Sequence, residues 1–280
     1  MPRPPQDTRP VVKLAQGPLS TTDTLVVEEP LEIRVAGDVL STTMRTPGHD
    51  RELAAGFLFA EGILSTRDDL GSLSHCGRLG TPEFGNAIDA ISAPGVILDI
   101  ERQSATRRGT LTTSACGVCG RTSIDDVRAR CQPVPDGPRL DPAIVHRALQ
   151  TLSRSQPVFE QTGGLHAAAL FDAAGELLCA FEDIGRHNAV DKCVGALLLR
   201  GVIPAPRSGS GQGAPALLTV SGRASFEILQ KAAMARIPIV ASVSASSTLA
   251  AELADVTNIT LATFVRNGAM TIVAHSERLT

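Results

Sequence analysis

The fold is decided by residues 216–265, ALLTVSGRASFEILQKAAMARIPIVASVSASSTLAAELADVTNITLATFV. Three apolar runs in this segment, ALLTVSG, IPIVASVS and NITLATFV, predict strands. Two stretches with helical spacing, RASFEILQKAAMAR and STLAAELADV, lie between them. Strands that are apolar along almost their whole length are typical of a sheet that helices cover on both faces. The sequence therefore predicts an α/β fold for this part of the chain.

The segments before these strands continue the alternation. DPAIVHRALQTL predicts a helix with Asp141 as its N-cap and Pro142 at its first position. HAAALFDAAGELLCAFEDI predicts two strands joined at Ala174 and Gly175. RHNAVDKCVGALLLRG then predicts an amphipathic helix that ends at Gly201, and PRSGSGQGAP predicts a flexible surface insertion.

The N-terminal part has a different pattern. Its first 20 residues are rich in proline and predict a disordered leader. Residues 25–46 alternate apolar and polar positions, with breaks at Pro30 and at Gly37-Asp38, and so predict a hairpin. HDRELAAGFLFAEGI follows with helical spacing, and AIDAISAPGVILDI returns to strand. We expect a small α+β domain over residues 21–110 and an α/β domain over residues 111–280.

Composition excludes several classes of function. The chain has 280 residues, 43% of them hydrophobic, and a net charge of −3, which does not indicate general affinity for nucleic acid or for anionic membranes. Trp and Tyr are absent, so a base-stacking platform is not expected. No stretch resembles a secretory signal or a transmembrane helix, which predicts a cytoplasmic location. Six cysteines are too few for a disulfide scaffold.

The stretch TTSACGVCG, residues 112–120, places Cys116 and Cys119 two residues apart. This spacing fits half of a zinc site, a redox dithiol or a loop that carries sulfur. A closed zinc site needs four ligands, and the sequence has no second C-x-x-C and no H-x-x-x-H to complete one. A zinc deaminase needs an upstream H-x-E and a Pro directly before the first Cys, where this chain has Ala115.

The residues around the pair favour a mobile carrier loop. Threonine, serine and glycine surround the cysteines and leave the loop without an apolar anchor. Arg121, with Arg107 and Arg108 shortly before the loop, is expected to stabilise a thiolate or a persulfide. The other cysteines have weaker signals: Cys179 and Cys193 fit buried packing positions, and Cys76 and Cys131 lie in expected loops.

A second group of candidates follows the predicted strands of the α/β domain. EDIGRHNAVDK, residues 182–192, is unusually polar for a strand-to-helix junction, where clefts form in open α/β sheets. On a functional interpretation, Arg186 and Lys192 bind phosphate while His187 or an aspartate contacts a polar heterocycle. On a structural one, these residues form the solvated face of a capped helix.

Three shorter motifs carry weaker signals. In SGRAS, residues 221–225, Arg223 and two serines lie at a helix start that can hold an anion, although capping explains the same pattern. In TGGLH, His166 fits a structural role as well as a functional one. In FVRNGA, Asn267 and Gly268 fit a hairpin turn, and Arg266 is the residue that hints at a ligand.

Together, TTSACGVCG, TGGLHAAAL, EDIGRHNAVDKCVG, SGRASFEILQKAAMARIPIVASVSASS and FVRNGA resemble the formate dehydrogenase accessory sulfurtransferase family, FdhD. The similarity covers most of the chain beyond residue 25. It implies a cytidine-deaminase-like three-layer α/β core without the deaminase zinc site, a smaller N-terminal α+β domain, and a homodimer.

The resemblance also implies a function. Members of this family accept persulfide sulfur from a cysteine desulfurase and deliver it to the molybdenum or tungsten bis-guanine-dinucleotide cofactor, which then enters the formate dehydrogenase apoprotein. The persulfide cysteine of the family matches Cys116, with Cys119 as its partner. The late cofactor-binding segment of the family matches Phe264, Val265, Arg266, Asn267, Gly268 and Ala269.

We add Arg186, His187, Lys192 and Arg223 as expected cofactor contacts from their polarity and position. A chaperone that holds the cofactor without moving sulfur is the first alternative function. A zinc-dependent hydrolase is the second, and it rests on the C-x-x-C and the implied core alone.

Overall fold

The larger sheet has six strands in the order β12-β11-β10-β9-β7-β8. The structure is a computed structural model, and it describes residues 3–14, 17–77, 84–98, 131–204 and 213–280. Strands β9, β10 and β11 are parallel, and the others pair antiparallel with their neighbours. The strands are β7 (His166–Phe171), β8 (Leu177–Asp183), β9 (Leu217–Val220), β10 (Ile239–Ser242), β11 (Thr260–Arg266) and β12 (Ala269–Ala274). Every residue of β9 and β10 is buried, as the apolar runs predict.

Helices cover both faces of this sheet, so the predicted α/β class is confirmed. They are α2 (Pro142–Arg154), α3 (Pro157–Thr162), α4 (Arg186–Leu199), α5 (Phe226–Met234) and α6 (Thr248–Thr257). The apolar side of α2 joins one core with inward residues of β7 and β9. The apolar residues of α4, α5 and α6 form a second core on the opposite face. Asp141 is the N-cap of α2, as predicted, and its carboxylate accepts a hydrogen bond from the Ala143 N–H at 2.7 Å.

The second core continues into a four-stranded sheet built by the N-terminal part of the chain. Its strands, in the order β4-β3-β6-β5, are β3 (Glu29–Val35), β4 (Asp38–Arg45), β5 (Leu70–His75) and β6 (Ala87–Ser92). Helix α1 (Asp50–Ala60) packs between this sheet and α4. The hairpin predicted over residues 25–46 is confirmed as β3 and β4, but the break expected at Pro30 is wrong, because Pro30 lies within β3 opposite Met44. Strand β5 was not predicted from the sequence.

The structure differs from the expectation of a disordered leader. Strands β1 (Gln6–Leu14) and β2 (Pro18–Val26) pair antiparallel over their full nine-residue lengths. Prolines are tolerated in this hairpin because a two-stranded sheet has only edge strands, where a missing N–H need not break a ladder. The proline content therefore gave a misleading signal for this segment.

Helix α4 is buried on all sides rather than amphipathic. Every residue from His187 to Leu198 is buried, because α1 crosses the side that the sequence pattern leaves to solvent. The two backbones touch at glycines: a Cβ built on Gly56 of α1 would overlap the Asp191 carbonyl, and one on Gly195 of α4 would overlap the Glu52 carbonyl. Among the described residues, no helix is long and apolar enough to cross a membrane.

The close crossing of α1 and α4 gives the first prediction. Gly195→Ala adds a methyl group where the Glu52 carbonyl already lies, so the helices must separate and the packed core must open. We expect the free energy of unfolding to fall by about 3 kcal/mol, the upper range for overpacking a core. Urea denaturation followed by circular dichroism measures it.

Gly56→Ala tests the same contact from the opposite helix and should have a similar effect, because its Cβ overlaps the Asp191 carbonyl. Unchanged stability in both variants would contradict the close approach of the two helices.

Candidate functional site

Polar residues converge on one edge of the six-stranded sheet, which we call the carboxyl edge. The parallel strands β9, β10 and β11 end there, and so does β8, while β7 begins there. Helices α4, α5 and α6 start at the same edge, with Gly185, Ser225 and Ser247 as their N-caps. Three helix N-termini therefore direct N–H groups and partial positive charge toward one region.

Basic side chains add to this positive charge. Arg186 begins α4, Arg223 precedes α5 and is exposed, and His166 begins β7. A Cβ on Gly222 would lie 3.2 Å from His166 Nδ1 and 3.7 Å from Arg186 Cδ, so the glycine allows its loop to approach both side chains. Burial, followed by the charge of Arg186, lowers the pKa of His166 below its ordinary value. The carboxyl edge thus favours an anion.

Arg186 has an unused donor at this edge. Its Nε is buried and has no hydrogen-bond partner among the described residues. A buried donor without a partner costs free energy, and an arginine fork matches carboxylate or phosphate oxygens. Arg186 therefore remains a candidate ligand contact.

His187 is nearly buried, and its ring contacts two side chains at the start of α5. Its side chain contacts Ser225 Oγ through Nε2 at 2.9 Å and Glu227 Oε2 through Nδ1 at 2.7 Å. The residue is 8% exposed, and burial lowers its pKa, although Glu227 acts in the opposite direction. With both ring nitrogens engaged, the predicted contact between His187 and a heterocycle is not supported by this geometry.

Helices α4 and α5 are also joined by an ion pair one turn further along each helix. Lys231 of α5 donates to both carboxylate oxygens of Asp191 of α4, at 2.7 and 2.9 Å. Residues 187 and 191 are four apart on α4, and Glu227 and Lys231 are four apart on α5, so each pair lies on one helix face. This matching i, i+4 spacing was the available sequence signal for Glu227 and Lys231, which the sequence analysis missed.

Lys192 is a structural residue and not a phosphate contact, contrary to the sequence prediction. It is 1% exposed, and its Nζ lies 2.7 Å from Asp183 Oδ2. The same ammonium donates to the carbonyls of Thr46 and Glu182, each at 3.2 Å, so its three donors are used. Asp183 is also buried and accepts hydrogen bonds from the Thr46 and Gly185 N–H groups. These contacts join the segment after β4 to the carboxyl edge.

The segment FVRNGA lies at the same edge, three strand positions from β7. Strands β11 and β12 meet at Asn267 and Gly268, which both have positive φ, so the predicted turn is confirmed. Neighbouring strands are about 4.8 Å apart, which places the end of β11 about 14 Å along the edge from His166. The predicted segment and the basic cluster thus share an edge without forming one compact site.

Within this segment, the side chains differ in their access to a ligand. Phe264 is 44% exposed, has a φ of 52°, and donates its N–H to the Ser244 carbonyl. The Arg266 guanidinium lies 6.0 Å from the centre of the Phe264 ring. Val265 is 3% exposed and belongs to the core with α2, so its side chain is not available to a ligand. Ala269 pairs with Arg266 at the start of β12.

The sequence model of the FdhD/NarQ family matches residues 26–280 of this chain. The chain belongs to that family. Similar proteins named "Sulfur carrier protein FdhD" include one from Anaeromyxobacter dehalogenans strain 2CP-1, 54% identical over 257 residues, which cover 92% of this chain and 88% of that protein. Another, from Mycobacterium tuberculosis strain H37Rv, is 47% identical over 276 residues, which cover 94% of each chain.

A solved structure has the same fold. The crystal structure of a formate dehydrogenase accessory protein from Desulfotalea psychrophila matches with a TM-score of 0.75 and 23% identity, covering 99% of this chain and 100% of that one. The mixed α/β architecture with several sheets is therefore shared with that protein.

Four of the six cysteines of this FdhD/NarQ chain lie within the described residues: Cys76, which is half-buried, and Cys131, Cys179 and Cys193, which are buried. Cys116 and Cys119 lie outside the described residues, as do Arg107, Arg108 and Arg121. The predicted insertion at residues 206–215 falls outside them over positions 206–212. Cys179 and Cys193 are buried, as predicted: Cys193 Sγ contacts the Ala168 carbonyl at 3.2 Å, and Cys179 Sγ contacts the Cys193 carbonyl at 3.7 Å. In the described parts of the chain, no three His, Cys, Asp or Glu side chains are grouped as a metal site.

The ion pair between Asp191 and Lys231 gives the second prediction. Burial raises the pKa of Asp191 to about 6 even with Lys231 beside it. In Lys231→Met this carboxylate loses its partner, so its pKa in the folded protein rises further. An acid whose pKa is raised by folding stabilises the protein at low pH and loses that contribution as the pH rises through the raised pKa.

We therefore expect Lys231→Met to lower the free energy of unfolding by about 3 kcal/mol at pH 8, as for other broken buried ion pairs, and by less at pH 5. Urea denaturation at the two pH values measures the difference. The double variant Asp191→Asn/Lys231→Met removes the buried carboxylate and should lose this pH dependence. An equal loss at both pH values in the single variant would contradict the account.

Proposed function

We propose that this chain is a sulfur carrier that serves the maturation of formate dehydrogenase. In this proposal Cys116 accepts persulfide sulfur from a cysteine desulfurase and passes it to the molybdenum bis-guanine-dinucleotide cofactor before the cofactor enters the apoenzyme. The observation that carries the proposal is the match, over nearly the whole chain, to relatives named sulfur carrier proteins. The name of the Desulfotalea protein, a formate dehydrogenase accessory protein, supports the same process.

The carboxyl edge supports the part of the proposal that concerns the cofactor. The cofactor is the cargo, and its pyrophosphate groups carry negative charge. Arg186 and Arg223 offer positive charge beside the helix N-termini of α4 and α5, and Arg186 Nε offers a donor without a partner among the described residues. Lys192 is removed from the proposed contacts because its donors are already used.

The β11–β12 turn supplies the second proposed contact region. Phe264 offers an exposed ring, and Arg266, Asn267 and Gly268 lie beside it at the turn. An aromatic ring and a guanidinium both stack on flat heterocycles. The distance of about 14 Å between this turn and His166, three strand spacings, suits a ligand as long as a dinucleotide. Guanine at the turn and phosphates near Arg186 is the arrangement that we propose.

The chemistry of Cys116 follows from thiol exchange. Its thiolate attacks the terminal sulfur of the donor persulfide, and the donor leaves as a thiolate, so Cys116 then carries S–SH. Attack of the Cys119 thiolate on the inner sulfur releases HS⁻ for the metal and leaves a Cys116–Cys119 disulfide. A reductant must then restore both thiols before the next transfer.

Several predictions about the architecture, the assembly and the location of the protein are also part of this proposal. They are a cytidine-deaminase-like core, domains over residues 21–110 and 111–280, a homodimer, and a cytoplasmic location. The three-layer arrangement of α2, the six-stranded sheet and the α4–α6 layer is compatible with such a core.

A chaperone that only holds the cofactor is the alternative function. The observation in its favour is that the groups offered to an anion at the carboxyl edge, among the described residues, are the side chains of Arg186 and His166. Both functions need the edge, but only the sulfur carrier needs Cys116.

The mass of the intact protein distinguishes the two functions and is the third prediction. After incubation with an active cysteine desulfurase and free cysteine, the wild-type protein should gain one sulfur atom, about 32 Da, and peptide mapping should place it on Cys116. Cys116→Ala should not gain it and should lose nearly all ability to activate formate dehydrogenase. Cys179→Ala is the control, because that thiol is buried and should have little effect on loading. Full maturation with Cys116→Ala would support the chaperone instead.

A further inference from the structure

Ser225 occupies a helix N-cap but does not use its hydroxyl to cap the helix. It precedes α5, and its side chain makes no capping hydrogen bond. Its Oγ lies 2.9 Å from His187 Nε2 instead. Ser247, the N-cap of α6, shows the ordinary arrangement, because its Oγ accepts a hydrogen bond from the Ala250 N–H at 3.2 Å. Both serines are therefore N-caps by position, but the Ser247 hydroxyl caps its helix whereas the Ser225 hydroxyl is bonded to an imidazole.

The contacts of His187 define the direction of this hydrogen bond. Its Nδ1 lies 2.7 Å from Glu227 Oε2, and this negative charge favours a ring proton on Nδ1. Nε2 is then the acceptor, and the Ser225 hydroxyl donates to it. Burial lowers the pKa of His187, which favours the neutral ring that can take a proton. Serine, histidine and carboxylate thus lie in the order that activates a serine for nucleophilic attack.

The surroundings of Ser225 fit an anionic substrate. The residue is half-buried at the carboxyl edge, where exposed Arg223 and half-buried Arg186 supply positive charge. Ser225 also lies at the start of α5, where the backbone N–H groups of the first turn have no acceptor within the helix and can donate to an oxyanion.

We propose that Ser225, His187 and Glu227 form a nucleophilic serine site that acts on a carboxylic ester of an anionic molecule. Ser225 Oγ and His187 are the catalytic groups, and Glu227 is the positioning residue that orients the imidazole. This activity is separate from sulfur transfer and needs neither Cys116 nor a desulfurase.

The reaction has two steps. In the first, Ser225 Oγ bonds to the ester carbon while its proton moves to His187 Nε2, the carbon–oxygen bond to the alcohol breaks, and the alcohol leaves with that proton. In the second, water gives a proton to His187 Nε2 and attacks the acyl carbon. The bond between that carbon and Ser225 Oγ then breaks, His187 returns the proton to Ser225 Oγ, and the acid is released. The net reaction converts one ester and one water into one acid and one alcohol, with no change in oxidation state.

A fluorophosphonate probe on the full-length protein tests the proposal. We expect one covalent adduct per chain, mapped to Ser225 by peptide mass spectrometry. Ser225→Ala should remove the adduct, while Ser247→Ala, which changes the capping serine of α6, should label at the wild-type rate. Glu227→Gln should slow labelling by about 10-fold or more, because removing an orienting carboxylate weakens the base. Circular dichroism and thermal unfolding establish that each variant is folded.

A competitor tests the charge of the substrate. Inorganic pyrophosphate should slow labelling of the wild-type protein and should protect Arg223→Gln less. No adduct on Ser225 in the wild-type protein, equal labelling of Ser247, or an unchanged rate in folded Glu227→Gln would overturn the nucleophilic site. Absence of protection by pyrophosphate would overturn its assignment to anionic substrates. Neither result bears on persulfide formation at Cys116, so the outcomes of the two proposals can be distinguished.

Discussion

The contact of α1 with α4 through glycine is the constraint on which the rest of the structure depends. Gly56 and Gly195 let each helix touch a backbone carbonyl of the other, and this closes the last open side of α4. Helix α4 is thereby enclosed between the six-stranded sheet, α5 and the N-terminal part of the chain. A polar group in such a helix must find a partner inside the protein, because an unpaired buried charge is very costly.

The buried polar residues of α4 find partners on two sides of the helix: on α5, and on the end of β8 together with the N-terminal part of the chain. Asp191 and His187 pair with α5 through Lys231 and Glu227. Lys192 pairs with Asp183 and with carbonyls of Thr46 and Glu182, which fixes the N-terminal part against the end of β8. Arg186 is the half-buried exception at the first turn, and its Nε has no hydrogen-bond partner among the described residues. Because the other polar side chains of α4 are paired inside the protein, Arg186 at the carboxyl edge is the residue of α4 that can donate to a ligand.

The sequence predicted the parts of the fold that local pattern controls. The strands and helices of residues 216–265, the Asp141 cap and the turn at Asn267 follow from periodicity and turn chemistry. The burial of Lys192 was not predicted, because a run of polar residues does not show which other segment of the chain will pack over it. The pairing of β1 with β2 was missed for a related reason. The sequence shows the prolines of this segment but does not show that its two strands pair with each other.

The candidate site shows the same limit. Polarity and position selected Arg186 and Arg223, which the structure places at the carboxyl edge, and the family resemblance selected the turn at residues 264–269. The chemistry proposed for Ser225 and Glu227 depends on one imidazole, 38 and 40 residues earlier in the chain, a relation that only tertiary contacts reveal. Sequence spacing thus located the edge but not the groups that act together on it.

The central claim is that the carboxyl edge holds the anionic part of a guanine nucleotide, and calorimetric titration with guanosine diphosphate tests it most directly. The account predicts that Arg223→Gln weakens binding about 10-fold, as expected for the loss of one charge-assisted contact worth about 1.5 kcal/mol. Arg200→Gln removes the same charge at the opposite end of α4 and should bind as the wild-type protein does. Equal affinity of the wild-type protein and Arg223→Gln, or an equal loss in both variants, would contradict the claim.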